Sequence, residues 1–309
     1  MCPSPFVCTP GLQSRTCGEA PGLCRGRAVN GLLEHLDHPP RPSTMPVDQR
    51  QRKAGVNPLR PSTEQIVQTV ETLSGYPVHM AEDASLQVDA SIRIGTAAKP
   101  VHLLRYRPMK AGEPDYYIAY QCGFVIRLYQ APPDRRFDLS PTPEGVRKVE
   151  SLVAGTLAGL KQDQYRDMLL NGLGYQLRSV PVGLRIDGWI GAEHPDLKDL
   201  QEQAVKKQLQ DNLRLLEGPL RSESPAKIFE ASVAMLAAFA AYWARAWGDA
   251  KILQPYKLVG LLDKGERLLK LLDTMSADPA DDPELVEAWA FELGIKGWYR
   301  WVPREAAGR

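Results

Sequence analysis

Histidine is scarce in this chain. There are five in 309 residues, and only His79, His102 and His194 lie beyond residue 44. Three imidazoles so far apart do not have the spacing of a metal-ligand set. Cysteine is as sparse: past residue 44 only Cys122 remains, so no disulfide can close within that part, which suits a reducing cytoplasm. Charge of one sign is not in excess, with 38 Lys and Arg against 37 Asp and Glu. A formal charge of +1 gives no general pull toward nucleic acid or an anionic membrane. The longest apolar run, Ala231–Ala244, falls short of the roughly twenty residues a bilayer span needs, so a soluble cytoplasmic protein is expected. No repeat of fixed period and no long heptad train is present. Gly172-Leu173-Gly174 lacks the remaining residues of a phosphate loop and reads as a helix break.

Residues 1–44 have a different composition from the rest. They hold Cys2, Cys8, Cys17 and Cys24, seven prolines and five glycines, which leaves little room for regular structure. Their cysteine spacing, even with His35 and His38, matches neither a zinc ribbon nor a disulfide framework. Pro3, Pro5 and Pro10 interrupt the only segment that could serve as a secretory signal. The expectation is a disordered tail, or a misassigned start with the true one at Met45.

From about residue 60 the pattern becomes regular. Ser62 and Gln65 can cap a helix that carries Ile66, Val67, Val70 and Leu73 and stops at Gly75 and Pro77. Pro77–Met80, Ala90–Ile94 and Val101–Tyr106 read as short strands of a small antiparallel sheet. Pro114 opens a helix that is apolar almost all round as far as Tyr129, which places it at the centre of a domain. After Pro143 all segments read as helical: 146–160, 164–177, 181–190, 197–216, 226–247, 262–275 and 283–293. Trp289, Phe291, Trp298, Tyr299 and Trp301 are dense enough either to close the core of the helical half, the preferred reading, or to form a contact surface, and residues 304–309 fray. The fold class expected is α+β: a small antiparallel sheet on a central helix over 45–140, then a C-terminal helical bundle over 141–309. The two parts should form one cooperative unit, since no Pro/Ser-rich linker divides them.

Helix, short strands, then a buried helix is the element order of a zincin metallopeptidase. In that fold the buried helix bears H-E-x-x-H, with two zinc-binding histidines on one face and a glutamate that polarises the water. Here the helix reads Tyr117-Ile118-Ala119-Tyr120-Gln121-Cys122-Gly123-Phe124-Val125-Ile126-Arg127-Leu128, preceded by the strand Val101–Pro108. This frame resembles the ImmA/IrrE-type zincin-like family, known for regulatory proteases that cleave repressors. The resemblance covers about a third of the chain. It implies that Tyr120 and Phe124 stand at the two histidine positions and Gln121 at the glutamate position, with Glu144 or Glu150 where a third ligand would come. Phenylalanine has no lone pair to give, and an amide cannot take the water's proton. The resemblance therefore implies a pseudo-metallopeptidase with no metal, no cofactor and no catalytic set. Such a protein would work through a protein partner, in a regulatory role, with Gly123 still allowing close packing behind the helix.

Two readings from other classes compete. A hydrolase could use Cys122 as nucleophile with His102 as base. A nucleic-acid-binding module could use Arg105, Arg107 and Arg127 among Tyr106, Tyr116 and Tyr129, although arginines paired with Asp115, Asp134 or Asp138 would account for the same pattern.

Overall fold

The computed structural model describes residues 58–110, 112–154, 162–217, 221 and 224–304. The readings for residues 1–44 and 305–309 lie outside the described residues.

Helix α1 (Pro61–Ser74) starts with proline in its first turn and ends on Gly75 in the left-handed conformation, φ 74°. Glycine takes that conformation without the strain a Cβ would bring. Ser62 does not cap its own helix in a box with Gln65. It bonds instead to the Asp196 carboxylate, more than 130 residues away, and Arg60 pairs with Asp199. A tertiary partner thus replaces the local one that was expected.

Strands β1 (Val78–Glu82), β2 (Ala90–Arg93) and β3 (His102–Tyr106) form one sheet in the order β1-β3-β2. It is not wholly antiparallel: β2 runs against β3, but β1 is parallel to it, Val78 facing His102 and Glu82 facing Tyr106. The link 83–89 crosses over the end of β3, where Asp83 N–H donates to Tyr106 O and Arg107 N–H donates to Asp89 O. A tight β2–β3 return then brings β3 back between its neighbours. On β3, His102, Leu104 and Tyr106 are buried and the residues between them are half-buried, the two-residue period of a strand with one face on the core.

Helix α2 (Pro114–Gln130) packs on α1 and on this sheet, and eleven of its seventeen residues are buried. Strand β4 (Phe137–Pro141) and helix α3 (Pro143–Val153) follow. Helix α4 (Gln162–Glu193) is one continuous helix of 32 residues. The break expected at Gly172-Leu173-Gly174 does not occur, and Pro181 sits within the helix. Residues on both sides of the proline are buried, including Leu173, Leu177, Leu184, Ile186 and Ile190. Burial of this kind outweighs the roughly 3 kcal/mol that an interior proline costs a helix. Helices α5 (Lys198–Glu217), α6 (Ala226–Trp247), α7 (Gln254–Leu258), α8 (Leu262–Thr274) and α9 (Asp282–Glu292) complete the helical half. Among the described residues, α6 alone is long and apolar enough to cross a membrane; here 72% of its apolar window is buried, chiefly against α4 and α8.

The chain then returns to its front half. Strand β5 (Tyr299–Pro303), which the sequence reading did not include among the strands, pairs antiparallel with β4, Phe137 facing Pro303 and Pro141 facing Tyr299. Gly174 provides its seat: a Cβ there would lie 2.6 Å from the Tyr299 ring, whose hydroxyl donates to Leu170 O at 2.7 Å. Of the five clustered aromatics, Trp289, Trp298 and Tyr299 are buried as expected, Trp301 is half-buried, and Phe291 is 69% exposed.

Helices α2 and α4 interlock through two glycines. A Cβ on Gly123 of α2 would fall 2.5 Å from Ile186 Cγ2, and one on Gly183 of α4 would collide with the Tyr120 hydroxyl. Gly183→Ala should therefore destabilise by about 1–3 kcal/mol through overpacking, despite the better helix propensity of alanine. In a Tyr120→Phe background the same substitution should cost clearly less. Urea unfolding of the four-member cycle measures the coupling.

Candidate functional site

The three positions at which a zincin would carry its chemistry point in different directions. Tyr120 is 6% exposed and packs its hydroxyl end on Gly183 of α4. Gln121 is buried and donates from Nε2 to the Ala90 carbonyl of β2, 3.2 Å away. Phe124, one helical turn past Tyr120 and edge-on to its ring at 5.3 Å, is half-buried and reaches a cleft. That cleft is not beside the third strand; β4, β5, α4 and α9 form its other walls. The family frame leads to the expectation of one groove holding both rings. The structure instead covers the Tyr120 face with α4. Glu150, in α3, pairs with Arg166 of α4. Among the described residues, no group of three or more His, Cys, Asp or Glu is placed to hold a metal ion.

The thiol alternative fails on geometry. Cys122 is fully buried, and burial pushes its thiol up to about 12, so no thiolate forms near neutral pH. His102 is equally enclosed, with both ring nitrogens engaged. Nδ1 accepts from Gly95 N–H at 3.0 Å, and Nε2 lies 2.9 Å from Ser74 Oγ. Burial, with the Arg304 charge adding to it, holds this imidazole near 4 and hence neutral. Its role is to tie the α1 terminus to the β2–β3 return, the backbone-satisfied histidine of a core.

Nor do Arg105, Arg107 and Arg127 share a groove. Arg105 and Arg107 lie at the end of β3, whereas Arg127 lies in the last turn of α2, and the cleft residues include it and neither of the other two. The pairing acids are not those expected: Arg105 bonds to Asp83 and Arg127 to Asp282, while Asp115 accepts Arg60 N–H at 2.7 Å.

The cleft reached by Phe124 measures about 60 Å³. Its apolar lining comes from Phe124, Leu128, Phe137, Val182, Val286 and Trp301, with Arg127, Arg135, Arg178 and Asp282 around them. Arg127 holds Asp282 with Nε and Nη2 at 2.8 and 2.7 Å, and Arg185 Nη1 reaches the same carboxylate at 2.8 Å. Arg135 pairs with Glu284, and Arg178 pairs with Asp138. Of these residues, only Phe124, Arg127 and Leu128 belong to the stretch singled out by sequence. The others are brought together by β4–β5 pairing, α4 and α9; Trp301 belongs to the aromatic cluster near the end of the chain, and no local spacing marks the rest.

One buried cluster lies outside every motif. Asp187 of α4 is 1% exposed; its Oδ1 accepts from Tyr116 Oη at 2.5 Å and from Gln201 Nε2 at 3.3 Å. Oδ2 has no hydrogen-bond partner, and no guanidinium or ammonium group of the described residues pairs with the carboxyl. Burial raises its pKa to about 7, against the smaller opposing effect of the two hydrogen bonds.

Two measurable consequences follow. Cys122 in the folded protein should resist iodoacetamide, with labelling rising only as the protein unfolds; peptide mapping by mass spectrometry separates it from the other cysteines. The pH dependence of stability should also show Asp187. Its folded pKa lies above the unfolded one, so the native state holds the extra proton and stability falls as pH rises from about 4 to about 7. His102 acts with the opposite sign, its depressed pKa withdrawing stability as pH falls from about 6.5 toward 4. His194, also depressed by burial, adds to His102. Below pH 6.5 the slopes oppose, and above it the Asp187 loss stands alone. Asp187→Asn should remove that loss and raise stability at pH 8 by about 1–3 kcal/mol, read from urea unfolding at pH 6 and pH 8.

Comparison of the chain with protein-family models, with curated proteins and with solved structures finds no match.

Proposed function

We propose that this chain is a non-catalytic cytoplasmic protein that works by binding another protein, on a zincin-like frame whose chemical positions have been given over to packing. The observation that carries this reading is the use made of Tyr120 and Gln121: one ring seals against a glycine of α4, and one amide ties α2 to the sheet. Neither side chain faces solvent where a substrate could reach it. A tyrosine and a glutamine spent this way hold helices together and leave no room for a metal-bound water. The order α1, three strands, α2 supports the zincin-like frame. Because α4 covers the Tyr120 face, the reading keeps the frame and gives up its groove. A binding role is supported by the apolar cleft that Phe124 helps to line, one helical turn from the covered Tyr120, with charged residues around it.

Purified protein equilibrated with zinc and then dialysed should carry no stoichiometric zinc by elemental analysis, and EDTA should leave its melting temperature unchanged. One equivalent of retained zinc, together with chelator-sensitive cleavage of casein that is lost in Gln121→Ala, would overturn the reading.

A further inference from the structure

We propose that Asp187 is a proton-operated catch for α5: its neutral carboxyl lets the helix lie closed on α4, and its ionisation favours release of α5 from the body of the protein. The catch is independent of the binding role proposed above. Three elements meet α4 at this carboxyl. From α2, Tyr116 donates to Oδ1 at 2.5 Å. From α5, Gln201 Nε2 donates to Oδ1 at 3.3 Å and to the Asp187 backbone carbonyl at 2.9 Å. From α6, the Tyr242 hydroxyl lies against Gly188, the next residue of α4. All three neighbours are neutral groups, and Arg245, which stacks on the Tyr242 ring, is bound to Asp273.

A neutral acid can leave Oδ2 unpartnered at modest cost. A carboxylate cannot, because half its charge rests on that oxygen, which is buried and without a hydrogen-bond partner. The ionised form gains its missing partners only where water enters, and the proton passes to that water. A second buried group without partners stands at the same junction. His194, in the turn between α4 and α5, has neither ring nitrogen hydrogen-bonded, and its ring meets Trp189 edge-on at 4.8 Å. The charged side chains nearest to it are Glu193 and Asp196. Opening at α5 would hydrate both groups.

Of the elements around the carboxyl, α5 is the one held most weakly. Helices α2 and α4 interlock through Gly123 and Gly183, and α6 is buried along most of its length. The ion pairs on α5, Arg60–Asp199 and Lys207–Asp89, are open to solvent and contribute little. Its remaining polar ties are the Ser62–Asp196 bond at its entrance and Gln201 itself. One side of the helix is apolar and buried, with Leu200, Ala204, Val205 and Leu209, and the other is polar. A helix attached in this way can open as a local unit while the rest of the molecule stays folded.

The test is hydrogen exchange of the full chain, read by mass spectrometry on peptides from α5 and α6, in the native sequence and in Asp187→Asn at matched pH. Taking the ratio of the two chains at each pH cancels intrinsic exchange and the titration of His194. For α5 the ratio of native to variant should rise about tenfold per pH unit from pH 5 toward pH 7, the slope of one proton released on opening. It should level off above about 7, where the closed form is itself ionised. Peptides from α6 should stay protected while α5 exchanges. The Tyr116 hydrogen bond favours the ionised carboxyl, so Tyr116→Phe should move the levelling point to higher pH. A merely structural loss would speed exchange at every pH and leave that point in place. The proposal is overturned by a ratio that does not change with pH, by α5 and α6 exchanging together, or by an unmoved levelling point in Tyr116→Phe. Should Asp187→Asn fail to fold by circular dichroism, the native and Tyr116→Phe profiles, corrected for intrinsic exchange, decide the question.

Discussion

The close approach of α2 and α4 is the constraint on which the rest of the molecule depends. Each helix offers the other a missing side chain: Gly123 admits Ile186, and Gly183 admits the end of Tyr120. Packing at this distance makes the Tyr120 face of α2 a helix interface. It also places Asp187 where Tyr116 can donate to it, and leaves Phe124 at the margin, where the two helices part and the cleft opens. Interiors at native density transmit such placements, so one pair of glycines decides both what is sealed and what is accessible.

The β4–β5 pair is the second organising contact. It joins the segment after α2 to the segment after α9, with Thr142 Oγ1 donating to Gly297 O at 2.7 Å and Thr142 N–H donating to Trp298 O at 2.9 Å. Gly145 permits this, since a Cβ there would collide with the Trp298 carbonyl. Together with the Arg127–Asp282–Arg185 triad, it ties the α+β front to the helical back as one unit.

How much of this was legible in the sequence depended on whether the signal was local. Helix α6 was expected at 226–247 and found at Ala226–Trp247, because an alanine-rich run between polar stops carries its own limits. Helix α2 was marked by proline at its start and α1 by glycine at its end, while the capping box expected to open α1 is not made. Three things escaped because their cause lies elsewhere in the chain. Parallel β1–β3 pairing depends on a crossover that short links do not reveal. Continuity of α4 through Gly174 and Pro181 is enforced by Tyr299 and by α2, not by propensity. Strands β4 and β5, each ending in proline, carried no strand signal of their own, because each is completed by the other. The site followed the same division: Tyr120, Gln121 and Phe124 stood out as a pattern on α2, while their surroundings were set by α4 and β2, and the cleft needed residues from distant parts of the chain.

The distance in sequence between β4 and β5 has a consequence for biogenesis. Phe137 leaves the ribosome long before Trp301, which stands on the opposite strand and supplies part of the same wall. During synthesis the wall therefore stays incomplete, and the apolar edge of β4 waits for a partner that arrives last. A nascent or truncated chain lacking Tyr299–Pro303 would leave that edge without its ladder partner.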